Sequence, residues 1–183
     1  MSYKLSAKQG SLLNEQNATF MVNTSNTKLI LGSGVSLAFR YSCGIKLQKE
    51  MTAALNRLEF ILKKGDIVAT SSGDSKNFKY ALHIATMDYG SDLKDEDRLP
   101  TYKDVYNALK NIESYLLWYY TKNQNSDMKI VMPLIGCGMG KLDKMVILGL
   151  YKSFFLREVP FQCEVVVYGY SEEDYKMLNS VLL

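Results

Sequence analysis

The sequence predicts an α/β sandwich. Short β-branched runs alternate along the chain with amphipathic helical stripes, the pattern of a sheet covered by helices. Several of the runs are apolar on both faces, as strands buried inside a sheet must be. No repeat and no low-complexity segment interrupts the alternation, and 183 residues suit one well-cored domain when a domain takes roughly 100–200. Residues 1–183 are therefore expected to form a single domain.

Taken in chain order, a weak strand is expected at Tyr3–Ala7 and stronger ones at Thr19–Val22, Asp66–Thr70, Lys79–Thr86, Lys129–Met132 and Cys163–Tyr168. Met51, Leu55, Leu58 and Leu62 recur at helical spacing, and so do Val105, Leu109, Ile112, Leu116 and Tyr119; each set makes one core-facing stripe. The second helix opens at "PTYKD", where Thr101 can cap and Asp104 can answer three residues on, and "SEED" at Ser171–Asp174 repeats the device before the last helix. A further helix is expected over Asp143–Phe155. The polar stretch Met87–Pro100 reads as the one long loop, with a solvated surface excursion favoured over a lid.

Composition excludes several classes. A hydrophobic fraction of 47% and a charged fraction of 22% lie near globular averages and argue against disorder. Lys and Arg outnumber Asp and Glu by only 22 to 19, short of the basic footprint of a dedicated nucleic-acid binder. No run approaches the roughly 18 apolar residues of a membrane span, and the N-terminus lacks a signal-peptide core, so a cytoplasmic protein without membrane partners is expected. Cys43, Cys137 and Cys163 are widely spaced and His83 is the single histidine, which suggests neither a disulfide framework nor a metal site. No cofactor is expected.

The chemistry concentrates in two glycine-rich turns that follow apolar strands, "LGSGVS" (Leu31–Ser36) and "IGCGMGK" (Ile135–Lys141). Such turns let successive backbone N–H groups converge on an anion, and a helix that starts just beyond adds its positive end. Two of them at strand carboxyl ends point to a diphosphate. Neither fits a Walker A loop, since Gly140-Lys141 is followed by Leu142, nor a Rossmann fingerprint. Lys141 reads as a solvated residue or a partner for the same anion. Asn26, just past the expected strand end, can either read a ribose hydroxyl pair or cap the turn, whereas Asn23 is expected to cap locally. Cys137 is expected to pack rather than to act as a nucleophile, because no histidine stands by it. His83 is expected to be a satisfied core histidine.

These residues resemble the macro domain family, whose members bind ADP-ribose. "VNTSN" (Val22–Asn26) with "LGSGV" (Leu31–Val35), "KGDIVAT" (Lys64–Thr70), "YALH" (Tyr80–His83) and "IGCGMG" (Ile135–Gly140) are similar to the family's motifs, in the same order over nearly the whole chain. The resemblance implies a three-layer α/β/α sandwich around a central mixed β-sheet. It implies one diphosphate loop at Gly32, Ser33, Gly34 and Val35, followed by Ser36, and another at Gly136, Cys137, Gly138, Met139 and Gly140, with Asn26 facing the distal ribose. Ser11 falls where the family's adenine-reading acid stands, which leaves adenine to Ser11 and the backbone of Leu12, and Tyr170 falls where an aromatic stacks on the base.

Ser36 and Gly140 occupy the positions of the aspartates that hydrolytic members use. Without them a general base worth about 10²–10⁴ in rate is missing. Asp88 or Asp92, in the long loop, could supply a carboxylate beside the neutral Asn26, with Asp88 the nearer to the strand end. The implied function is binding of ADP-ribose or a close derivative, with slow hydrolysis of an ADP-ribosyl ester or ADP-ribose 1″-phosphate. The alternatives are a non-catalytic reader of ADP-ribosylated proteins or nucleic acids and a poly(A)/RNA-binding module. The expected partner is ADP-ribose or an ADP-ribosylated macromolecule, with nucleic acid entering only as a modified substrate.

Overall fold

A computed structural model describes residues 2–123 and 126–182. Six strands, β1 (Tyr3–Gln9), β2 (Ala18–Asn26), β3 (Ile67–Ser71), β4 (Phe78–Met87), β5 (Met128–Pro133) and β6 (Cys163–Gly169), form one sheet in the order β1-β6-β5-β2-β4-β3. All neighbours are parallel except the edge strand β3, which runs antiparallel to β4. The sheet is therefore mixed, as expected.

Helices cover both faces. Along the central strands alternate residues belong to different cores: Phe20, Val22, Ile130, Met132, Val165 and Val167 pack with α3 (Tyr102–Lys122), α4 (Lys144–Phe155) and α5 (Glu172–Leu182). Met21, Val131 and Val166 pack instead against α1 (Val35–Asn56) and a single 3-10 turn at Leu12–Asn14. Since strand side chains alternate faces, the continuous apolar runs follow from burial on both sides. Among the described residues no helix is long and apolar enough to cross a membrane.

The helix starts obey their sequence signals. Thr101 and Asp104 close a reciprocal capping box on α3, Asp143 accepts from the Val146 N–H at the start of α4, and Ser171 accepts from the Asp174 N–H before α5. Differences arise where tertiary contacts prevail over periodicity. The stripe Met51–Leu62 is helical only to Asn56; Leu62 is buried from the loop beyond. Helix α1 also begins much earlier, directly at the first glycine turn. It breaks at Gly44, whose φ of 67° and ψ of −177° are non-helical, and there the Cys43 carbonyl accepts the Asp74 N–H at 3.0 Å. A break at glycine is the expected place for such a kink. The long loop contains one helical turn, α2 (Asp95–Arg98), and is tied down by Lys64, which donates to the carbonyls of Asp97 and Leu99.

His83 lies fully buried on β4, with Nδ1 2.9 Å from Asn23 Nδ2 and Nε2 2.8 Å from Thr70 Oγ1. Burial pushes its pKa down to about 3 from an ordinary 6.5. Below 6.5 the unfolded chain takes up a proton that the folded chain refuses, so stability is full above that pH and declines as the pH falls toward 3. Urea unfolding at pH 7 and pH 5 is expected to show a loss approaching about 1.4 kcal/mol per pH unit below 6.5; equal stability at the two values would contradict the buried neutral ring.

Candidate functional site

At the carboxyl ends of β2, β4, β5 and β6 lies a cavity of about 610 Å³. Its position follows from topology, because ligands in α/β sheets settle where strand ends open between diverging connections. Every predicted site residue lines it except Cys137 and Asp88: Ser11, Leu12, Asn26, Gly32, Ser33, Gly34, Val35, Ser36, Gly136, Gly138, Met139, Gly140 and Tyr170 are all in its wall.

Two frames hold the first glycine turn. Asn26, nearly fully buried, accepts from the N–H groups of Lys28 and Ile30 and donates to the Ile30 carbonyl at 2.9 Å. Gln48 of α1 accepts from the Leu31 N–H and donates to the Leu29 carbonyl. Asn26 thus braces the turn and borders the cavity at once. A register shift between Ser25 and Asn26 sets Asn26 opposite Met87; bulges of this kind often re-aim a side chain beside a site.

Beyond this brace, the N–H groups of Gly32, Ser33, Gly34, Val35 and Ser36 donate to no protein acceptor among the described residues. Gly34 caps α1 with no side chain engaged, which leaves the helix start open to an anion.

The second turn is built likewise. Tyr151, buried on α4, donates to the Pro133 carbonyl at 2.7 Å and accepts the Ile135 N–H at 3.0 Å. The turn closes through Leu142 N–H to the Gly136 carbonyl and Lys141 N–H to the Gly138 carbonyl, while the N–H groups of Gly136, Gly138, Met139 and Gly140 have no protein acceptor among the described residues. Cys137 instead turns its thiol toward the Ile135 carbonyl, and burial pushes its pKa up to about 12 against the opposing charge of Lys144. It behaves as the packing residue the sequence suggests.

Asn23 departs from expectation. It does not cap the turn: fully buried, it bonds His83 and accepts from the Ser36 hydroxyl at 3.0 Å. The Thr24 carbonyl lies 3.2 Å from the same hydroxyl and shares its single proton, so the hydroxyl faces the sheet. The cause is strand length, since β2 runs on through Asn26 and puts Asn23 inside the sheet.

Asp88 is occupied as well. Its Oδ1 accepts from Thr27 Oγ1 at 3.1 Å and from the Gly90 N–H at 2.8 Å.

No carboxylate, imidazole or amine stands among the residues lining the cavity. A carboxylate at position 140 is also excluded by space: a Cβ there would sit 2.5 Å from the Gly136 carbonyl oxygen and 2.6 Å from Pro100 Cγ. Among the described residues no group of three His, Cys, Asp or Glu side chains could hold a metal ion.

Sequence reasoning missed Tyr41, Tyr89 and Tyr168, which also line the cavity. Tyr41 and Tyr89 follow the glycine turn and β4 with no motif to mark them. Tyr168 reads in the sequence only as the end of a strand; its hydroxyl donates to buried Glu15 at 2.8 Å. Glu15 also takes Lys8 at 2.7 Å and Lys129 at 2.9 Å. Burial alone would raise its pKa, but these bonds and the Lys129 charge outweigh burial and hold it at about 2.

The sequence model of the macro domain matches residues 22–147, and the chain belongs to the macro domain family. No curated protein matches it by sequence. Solved structures share its fold. A mutant macrodomain of Oceanobacillus iheyensis with ADPR superposes with a TM-score of 0.75 at 18% identity, covering 97% of this chain and 91% of that one. The macrodomain of Mycobacterium tuberculosis DarG gives 0.68 at 18% identity, with 91% and 98% covered. A Trypanosoma brucei macrodomain in complex with ADP gives 0.70 at 18% identity, with 98% and 69% covered.

The steric limit at position 140 is open to test. Gly140→Ala is expected to lower stability by about 2 kcal/mol or more, within the range of overpacking changes, whereas Gly138→Ala, whose Cβ would meet nothing within 4 Å, is expected to change it by less than about 0.5 kcal/mol. Denaturant unfolding of both variants checks this, and equal losses would contradict the packing described.

Proposed function

We propose that the protein binds ADP-ribose, or a close derivative, with the diphosphate between the two glycine turns. The distal ribose then lies toward Asn26 and the base toward Ser11, Leu12 and Tyr170. The observation that carries this reading is the pair of turns with unengaged N–H groups bordering one cavity. Backbone donors suit a diphosphate because they supply fixed dipoles without a side chain to order. Relatives of the same fold include structures with ADPR and with ADP, which supports the same ligand class here.

The cavity wall favours a reader over an efficient enzyme, because it contains no general base. Slow ester hydrolysis is the second reading. It rests on Asp88, which follows cavity residue Met87 and engages only one of its two oxygens with Thr27 and Gly90. A poly(A) or RNA module fits less well, since no Lys or Arg lines the cavity and the phosphate backbone dominates affinity for nucleic acid.

Calorimetry decides the first point. ADP-ribose is expected to bind with a micromolar Kd, about tenfold or more tighter than AMP, and Asn26→Ala to weaken it; no binding of ADP-ribose would overturn the reading. If turnover of an ADP-ribosyl ester is detected, Asp88→Ala is expected to abolish it and leave the Kd unchanged.

A further inference from the structure

Outside the cavity, the charge of the chain is unevenly placed. Residues 28–63 hold six of its 22 basic side chains, Lys28, Arg40, Lys46, Lys49, Arg57 and Lys63, but two of its 19 acidic ones, which leaves 16 against 17 in the rest. All six cations are exposed, and none forms an ion pair among the described residues. Of the two carboxylates, Glu50 is taken up by the N–H and hydroxyl of Ser71, and Glu59 stands exposed beyond the helix end. Asp74 lies against Gly44 at the kink and pairs with none of the six.

The cations share a surface with apolar side chains. Beyond the kink, Ile45, Lys46, Lys49, Thr52, Ala53 and Asn56 recur at helical spacing and are all exposed, so they form the outer face of α1. Arg57 Nε donates to the Ala53 carbonyl at 3.2 Å and so lies on the same face. Gln48 ties the loop of Lys28 and Ile30 to it, reaching both the Leu29 carbonyl and Thr52 Oγ1. Past the helix end, Leu58 and Leu62 pack into the core beneath α1, and between these anchors Phe60 and Ile61 stand out, 60% and 86% exposed. Single apolar side chains at a surface are ordinary; an adjacent pair held out at a tip among unpaired cations is a different case.

Charge complementarity calls for an anionic partner, and the side chains among the cations say which. Nucleic acid is held by aromatic platforms in a cationic groove, whereas here the face is the convex side of a helix and Ile30, Ile45 and Ile61 present no π-face. Protein interfaces deplete lysine from their centre, and Lys46 and Lys49 occupy the middle of this one. A lipid surface suits both features. Lysine stems lie along apolar material while the ammonium reaches the headgroups, clusters of about four to eight basic residues attract anionic lipid, and exposed apolar side chains enter the headgroup boundary.

We propose that the outer face of α1 and the Phe60–Ile61 tip dock this protein on an anionic membrane surface. The cations lie over the lipid headgroups and the tip enters the boundary beneath them. Attachment of this kind needs no spanning helix, so it is compatible with the absence of one among the described residues.

Sedimentation with vesicles tests it. At about 0.1 M salt the protein is expected to pellet with phosphatidylcholine vesicles containing about 30% phosphatidylserine, to stay in solution with phosphatidylcholine alone, and to be released at about 0.5 M salt. Lys46→Glu with Lys49→Glu is expected to weaken binding by about twentyfold or more, since each lysine near the surface supplies about fivefold. Phe60→Ser with Ile61→Ser is expected to weaken it by about tenfold or more through lost apolar burial. Both pairs lie outside the cavity wall, and the Kd for ADP-ribose is expected to stay as it is in each. No pelleting with the anionic vesicles, equal pelleting with either composition, or pelleting unchanged in both double variants would overturn the inference. So would binding to oligothymidylate or polyglutamate without binding to the anionic vesicles, which would give the surface to nucleic acid or to an acidic protein.

Discussion

One buried chain of hydrogen bonds fixes the site to the sheet. The Ser36 hydroxyl donates to Asn23, the Asn23 amide meets His83 Nδ1, His83 Nε2 meets Thr70 Oγ1, and Thr70 donates to the Ser71 carbonyl. It links the first turn of α1 to β2, β4 and β3 in succession. Because an unpaired buried polar group costs about 1–3 kcal/mol, each member holds the next in place. It also requires a neutral imidazole, with Nδ1 accepting from the amide and Nε2 carrying the proton. The histidine is thereby structural, and the serine hydroxyl is turned away from the cavity.

The consequence is a site of neutral polarity. It presents free backbone N–H groups on turns braced from behind by Asn26, Gln48 and Tyr151, and the nearby charges are committed elsewhere, Glu15 to two lysines and Lys144 to Asp174. Preorganised dipoles of this sort hold an anion without the desolvation cost of a buried cation. Such dipoles do not activate water, and the wall we propose for a diphosphate carries no side-chain base.

Much of this was legible in the sequence, and the failures have physical causes. The two glycine turns and the strands before them stand out because glycine and β-branched runs mark backbone geometry directly. The early start of α1 was hidden, since a helix that opens on Gly34 without a side-chain cap leaves no capping signal. Leu58 and Leu62 kept helical spacing beyond the helix end, where burial from a loop serves the same core. The role of Asn23 is hidden in the sequence because its partners, His83 and Ser36, lie 60 and 13 residues away, and no local pattern reports such distances. Glu15, Tyr41, Tyr89 and Tyr168 came together only through the fold.

If the backbone N–H groups of the two turns receive the ligand's diphosphate, their amide resonances must respond to it. The most direct measurement is a ¹H–¹⁵N correlation spectrum titrated with ADP-ribose. The largest amide shifts are expected on Gly32, Ser33, Gly34, Gly138 and Met139. Shifts confined to the opposite end of the sheet, around Lys4, Thr19 and Lys129, where a second and smaller cavity lies, would contradict it.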